Sequence, residues 1–412
     1  MNSTTEKTGP AFVEFVLIIS LMMSLTALSI DAMLPALPHI GNDLGVQDAN
    51  DRQMVVSMIF LGMAVGQLFF GPLSDRTGRK PAVYAGYSLY IAGALLSILA
   101  GSFPMMLAGR LLQGLGISAP RAVTLALVRD RYAGRGMARV MSFVMTVFIL
   151  VPMVAPTLGQ TILLFSGWRG IFVSFVLMAL ITWAWFALRM PETLAPEDRT
   201  PFSPRRVVDA TIKILQDRTA LGYTVSAGLV SGAFLGYLSS SQQIFQELYD
   251  LGERFPLFFA AIALSLGLAS LLNARLVMRF GMRFLVRWSL IVVIGLSAVA
   301  LAISLLTAGQ PPLWFLMAYI MMSFFGIGIL FGNQNALAME PLGHLAGIGA
   351  AVVGSLSTLI SIPLGTMIGQ GYNDTVLPLV IGLAVLSGLS LLVVQWVESK
   401  QHGRLGEKAT NS

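Results

Sequence analysis

The chain has 412 residues, 56% of them hydrophobic and 11% charged, with a formal net charge of +6. A soluble domain carries roughly 25% charged residues, so this chain cannot cover a water-facing surface, and its positive balance is assigned to loops between apolar segments rather than to nucleic acid. Cysteine is absent, which excludes disulfides, thiolate catalysis and cysteine–metal sites.

A helix of about 20 apolar residues crosses a ~30 Å hydrocarbon core. Residues 12–30 form such a run, interrupted only by Glu14, and no small-residue cleavage site follows, so it reads as a retained first span. Apolar runs and breakers predict twelve spans, at 11–34, 53–73, 81–100, 105–128, 138–162, 168–189, 219–244, 254–275, 285–306, 312–338, 346–370 and 376–397. Gly71 and Pro72 are expected to end span two, and Gly78 to permit a tight turn. The one long connection, 191–218, is polar and holds Pro191, Pro196, Pro201 and Pro204. The expected organisation is an all-α polytopic membrane protein: an N-terminal six-helix bundle over 1–190, a cytoplasmic linker over 191–218 and a C-terminal six-helix bundle over 219–412.

Lys and Arg set the orientation. If the N-terminus is cytoplasmic, only Arg52, Arg169 and Arg254 fall outside, and Arg110 and Arg121 fall within spans. Every other member of the 26 lies on the inner side. That bias puts both termini in the cytoplasm. The halves also repeat weakly: GPLSDRTGRK at 71–80 follows span two and ARLVMRFGMR at 274–283 follows span eight. Aligned without gaps, Arg76 meets Arg279, Gly78 meets Gly281 and Lys80 meets Arg283, while Asp75 meets Met278. A parallel repeat of six-span units is a known transporter architecture.

Charges within spans are costly, at least about 2.5–3.5 kcal/mol at mid-bilayer, and so mark functional candidates. Asp31, Arg110 and Arg121 qualify. Arg110 and Arg121 are eleven residues apart, which places them on one face of span four about 16 Å apart. Asp31 can carry a proton and a guanidinium cannot, so Asp31 is the candidate carrier, with Arg110 the charge that biases it. Glu14 is expected to face the surface. Tyr237, Gln242 and Gln243 in span seven, with Arg121, are candidate substrate-binding residues; Asn333, Gln334 and Asn335 in span ten are assigned structural roles. Pro152 and Pro156 would bend span five. The GxxxG pairs Gly62/Gly66 and Gly365/Gly369 allow close helix approach and are expected to form a sliding contact between spans two and eleven.

Five segments carry a resemblance. GPLSDRTGRKP at 71–81 resembles motif A of the major facilitator superfamily, and RLLQGLG at 110–116 looks like motif B of its drug:proton antiporters. DAMLPALP at 31–38 is similar to the end of their first span, VPMVAPTLG at 151–159 to their antiporter motif C, and GWRGIF at 167–172 to the opening of their sixth span. The chain most resembles the twelve-span drug:proton antiporters, and among them the bicyclomycin and chloramphenicol resistance exporters. Two departures stand out. Motif C ends on Gly159-Gln160 where the family has paired glycines, and Met23 stands where some multidrug members carry a second acid.

The resemblance implies the major facilitator fold, two pseudo-symmetric bundles around a central cavity. It implies proton-coupled antiport of small amphipathic or neutral compounds in the bacterial inner membrane, with protons, substrate and the lipid bilayer as partners. Gly71, Asp75, Arg76, Gly78, Arg79, Pro152, Pro156 and Gly159 would serve conformational gating. A metabolite exporter, facilitator or proton symporter of the same fold is the alternative, and a polytopic membrane enzyme the remote one. No nucleotide-binding loop or metal motif occurs, and His39, His344 and His402 are not spaced as ligands. The expectation is therefore a monomeric, non-enzymatic transporter with no cofactor and no metal.

Overall fold

The computed structural model describes residues 9–201 and 203–410, without the side chains of 138, 204, 344–346 and 400–410, among which His344 and His402 fall. Every described element is helical. Eleven stretches are long and apolar enough to cross a membrane. One of them, Gly134–Arg189, has 56 residues and would measure about 84 Å as a straight helix, far more than a bilayer core. It turns at Gly167 (φ 68°, ψ −179°), so it is two crossings, and the expected twelve are present.

Span one, Phe12–Asp31, is followed by a short helix, Leu37–Asp43. Spans two, three and four are Met54–Thr77, Arg79–Ile98 and Phe103–Arg131. Span seven, Arg218–Gln242, runs on into a π-helical turn, Gln243–Leu248. Spans eight to eleven are Phe255–Phe280, Met282–Leu306, Leu313–Met339 and Ala346–Gln370, and Leu377–Thr410 contains the twelfth. The linker contains an amphipathic helix, Pro204–Gln216, that packs on spans seven and eleven.

The expectation that span two ends at Gly71-Pro72 is corrected: the helix continues through Pro72 to Thr77. A proline removes one backbone bond, whereas ending the helix inside an apolar medium would leave several groups unpaired. What ends it is Gly78, at φ 107° and ψ 164°, a conformation essentially confined to glycine.

The two halves meet along two seams, span two against span eleven and span five against span eight. The six-span repeat exchanges these seams, so the interface is a pseudo-two-fold. The GxxxG glycines mostly do not serve it. Methyls at 62 and 66 would collide with span four, at Leu111, Leu115 and Ser118, and one at 365 would meet Leu235 and Gly236 of span seven. Only Gly369 faces the other half, against Gln53. The sliding contact expected of these pairs is therefore mainly packing within each half.

Candidate functional site

The seams are closed at one end and parted at the other. At the closed end, Asn50 and Gln53 at the start of span two meet the ends of spans seven and eleven. Asn50 donates to the Gln370 and Tyr372 carbonyls (3.0 and 2.9 Å), and Gln243 donates to the Asn50 side chain (2.8 Å). Gln53 donates to the Gln243 side chain and to the Gly369 carbonyl, and Ser57 bonds Thr366 at 2.9 Å. One ion pair, Arg52–Glu247 at 3.2 Å, lies beside these amides. Trp168 and Arg169, just after the Gly167 turn, both donate to Asp43 (2.9 and 3.0 Å), which ties the turn to the helix after span one. Sequence reasoning placed Gln243 along a cavity; here it belongs to this closure, and Gln242, also buried, donates to Glu247.

At the opposite end, which carries the turns at Gly78 and Gly281, a cavity of about 540 Å³ lies between the halves. Gln67, Arg121, Leu125 and Met145 form its first-half wall, and Asn335 and Gly354 belong to its second-half wall. Asp75, Arg79, Arg129 and Asp130 lie at its mouth. The volume is that of a small-molecule site. Arg121 is exposed to this space. Asn335, assigned a structural role from sequence, lines the cavity, whereas Asn333 pairs with Asn273 of span eight (2.8 Å) and Gln334 donates to Ser226 of span seven (2.7 Å).

The mouth is held by a charge network confined to the first half and the linker. Arg79 is nearly sealed from solvent. It donates to Asp75 (2.5 Å), Asp130 (2.9 Å) and the Ser74 hydroxyl (2.7 Å). Glu192 accepts from the first two backbone amides of span three, Arg79 (2.8 Å) and Lys80 (3.0 Å), where free N–H groups and the helix dipole favour an anion. Lys80 Nζ donates to the Ala187 and Met190 carbonyls at the end of span six. Arg76 is exposed and takes part in none of the ion pairs among the described residues. Glu14 is not a free surface group: it accepts from Arg189 (2.5 and 2.9 Å) and Trp185 (3.1 Å).

Between the two ends lie Asp31 and Arg110, both buried. Sequence reasoning expected them to act as a pair. In this conformation Arg110 instead donates to the Ser29 carbonyl (2.8 Å), the Val55 carbonyl (3.1 Å) and Gln113 (2.6 Å), and stands over the Phe172 ring. It clamps spans one, two and four. Among the described residues the Asp31 carboxylate has neither a hydrogen-bond donor nor a cation. It lies within electrostatic reach of Tyr237, whose buried hydroxyl also lacks a partner. Tyr237 belongs to the other half and is wedged against Phe259 and Phe324 (ring centroids 5.9 and 4.6 Å). It lies six residues, about 9 Å along span seven, from Gln243. Gly159 of span five crosses span one beside Asp31, where a methyl at 159 would overlap the Ala32 carbonyl. Pro156, one turn earlier, is buried and Pro152 half-buried; the helix runs on through both. The polar closure and the Tyr237–Asp31 juxtaposition were missed from sequence. The cluster Asn50, Gln53, Gln243 and Gln370 at three predicted span ends was the available signal.

The family model of the Major Facilitator Superfamily matches residues 19–366. The chain is 27% identical to a bicyclomycin resistance protein homolog of Haemophilus influenzae over 388 residues, 94% of this chain and 96% of the relative. It is 31% identical to a chloramphenicol resistance protein of Pseudomonas aeruginosa over 364 residues, 84% and 83% of the two chains. Among solved structures, the xylose transporter XylE of E. coli, in a partially occluded inward-open conformation, superposes with a TM-score of 0.70 at 14% identity, covering 93% of this chain and 97% of that one.

Proposed function

The chain belongs to the Major Facilitator Superfamily, and from that premise we propose that it is a proton-coupled antiporter that exports small amphipathic or neutral compounds by alternating access. It is a multi-pass membrane transporter; the reading adds a bacterial inner membrane, a monomer and cytoplasmic termini. The relatives named for bicyclomycin and chloramphenicol resistance support export of such compounds. On the basic-loop orientation the parted end faces the cytoplasm, so the conformation is the one that loads an exporter.

One observation carries the reading: a buried carboxylate, Asp31, unpaired among the described residues, lies within electrostatic reach of a buried hydroxyl of the other half, Tyr237, that has no partner there either. A coupling group must titrate and must reach each side in turn. Asp31 is the acid placed to do so, because parting the closure above it exposes it to the outside. Asp75 and the first turn of the helix Ala346–Gln370 face the same cavity from opposite halves. When the cavity shuts, that helix N-terminus is a partner for the Asp75 carboxylate, which is how the 71–81 segment would gate the inner end.

The test is expression in an efflux-deficient bacterium with chloramphenicol and bicyclomycin susceptibility as readouts, together with pH-gradient-driven transport in proteoliposomes. Resistance raised at least fourfold and abolished by Asp31→Asn supports the proposal. Unchanged susceptibility together with proton-coupled uptake of solutes would overturn it in favour of a symporter.

A further inference from the structure

Deep in the cavity wall lies a charge, Arg121, that nothing among the described residues balances; Arg129, the other arginine of the lining without an ion pair, lies at the mouth. Arg121 is ten residues, about 15 Å of helix, from the Arg131 end of span four, deep within a 29-residue crossing. It takes part in none of the hydrogen bonds or ion pairs among the described residues and is exposed only because the cavity beside it is open. The two carboxylates that share the cavity, Asp75 and Asp130, are both bound to Arg79 at the mouth. Around Arg121 the wall is apolar or neutral, with Ala122, Leu125, Met145 and Ala351, and Gln67 and Asn335 as hydrogen-bonding groups.

An unpaired guanidinium is tolerable while water fills the open cavity. Alternating access removes that water, and a charge left without a counter-ion in a sealed apolar space is heavily penalised. Deprotonation is no escape, since arginine stays charged. The occupant must therefore bring the counter-charge, or the cavity closes at a cost. We infer that Arg121 is the docking residue for an acidic group, and that the preferred substrates are amphipathic molecules with one carboxylate, sulfonate or phosphate head and an apolar body. A planar guanidinium donates to such heads through two parallel N–H bonds, and the aliphatic wall takes the body. The anion also makes closure cheap only when the site is filled, which couples occupancy to the conformational step. This inference rests on the transporter reading and narrows its substrate class. Export of a monoanion against one entering proton moves two charges along an inside-negative potential, where a neutral substrate moves one.

The test uses the purified full chain in detergent and two probes of one shape, anilinonaphthalenesulfonate and its uncharged parent N-phenylnaphthylamine, measured by equilibrium dialysis. Wild type is expected to bind the sulfonate at least tenfold more tightly than Arg121→Gln does, while both bind the neutral parent within twofold. Arg121→Lys recovers most of the sulfonate binding. Equal sulfonate affinity in wild type and Arg121→Gln overturns the inference. So does parallel loss of both probes in an Arg121→Gln protein whose thermal midpoint is unchanged. Proton coupling is read separately, in proteoliposomes. If Arg121-dependent sulfonate binding persists but a pH gradient drives no sulfonate movement, the docking site stands and the antiport reading falls.

Discussion

The turns after spans two and eight have the same backbone and opposite chemistry. Gly78 (φ 107°, ψ 164°) and Gly281 (φ 79°, ψ 156°) reverse the chain in the same way. Around Gly78, Arg79 is sealed between Asp75 and Asp130, and Glu192 caps the next helix. Around Gly281 the corresponding positions are Met278 and Met282, and Met278 is 85% exposed. The ion pair there, Arg283–Glu340 at 2.7 Å, is open to solvent on both sides. The glycine turn is thus what the six-span repeat needs in order to fold, and the charges are an addition to one copy. The same division runs through the membrane. Asp31, Arg110 and Arg121 lie in the first half, while the second half offers Tyr237 amid Phe234, Phe259 and Phe324. The first half carries the chemistry and the second presents a wall to it.

Removing charge from the first half breaks this asymmetry most severely at Asp31. Asp31→Asn is expected to lower pH-gradient-driven accumulation in vesicles by about five-hundredfold, the ratio that one proton crossing 100 mV with a one-unit pH gradient supports, while downhill substrate exchange persists. Full uphill transport by this variant would move the carrier elsewhere.

Arg110 comes next, and the effect falls on stability. Arg110→Ala strands the Ser29 and Val55 carbonyls in a sealed site. It is expected to cost about 3 kcal/mol, read from thermal unfolding in detergent. Arg110→Lys recovers less than half, since an ammonium cannot span the three acceptors in the guanidinium's geometry. A stable Arg110→Ala protein with a shifted pH profile would instead restore the Asp31–Arg110 pairing expected from sequence.

The two turns sharpen the comparison further. Gly281→Ala should cost about 1–3 kcal/mol of backbone strain alone. Gly78→Ala should cost more, because its methyl also meets the Glu192 carboxylate at 2.6 Å, and it alone should slow transport. The smallest effect is expected from Glu340→Ala, less than about 1 kcal/mol for a solvated pair, with transport within twofold of wild type.

The spans, the repeat and the Gly78 turn were legible because hydropathy, basic-loop bias and the demand for glycine act locally along the chain. Partners were not. The spacing of Gly62 and Gly66 announces a close helix neighbour without saying which one, and span four took the place that span eleven was expected to fill. Arg110 and Asp31 are both intramembrane charges of opposite sign, which suggests a pair. Backbone carbonyls of spans one and two nevertheless satisfy the guanidinium first, and carbonyls are invisible in a residue alphabet. Pro72 read as a terminator because its cost in water is larger than its cost where every other backbone group must stay bonded.

The closure opposite the cavity is made mostly of side-chain amides, and that choice has a consequence for where the protein can work. Amides neither titrate nor attract counter-ions, so the bonds among Asn50, Gln53, Gln243 and Gln370 hold alike in acid, alkali and brine. Among the described residues, Arg52–Glu247 is the one ion pair across this closure, and it is open to screening by salt. Each amide bond is worth about 1 kcal/mol net, because water offers nearly the same bond when the closure parts. Such a gate opens at little cost and without regard to the medium outside, and the decision to open is left to the groups buried beneath it.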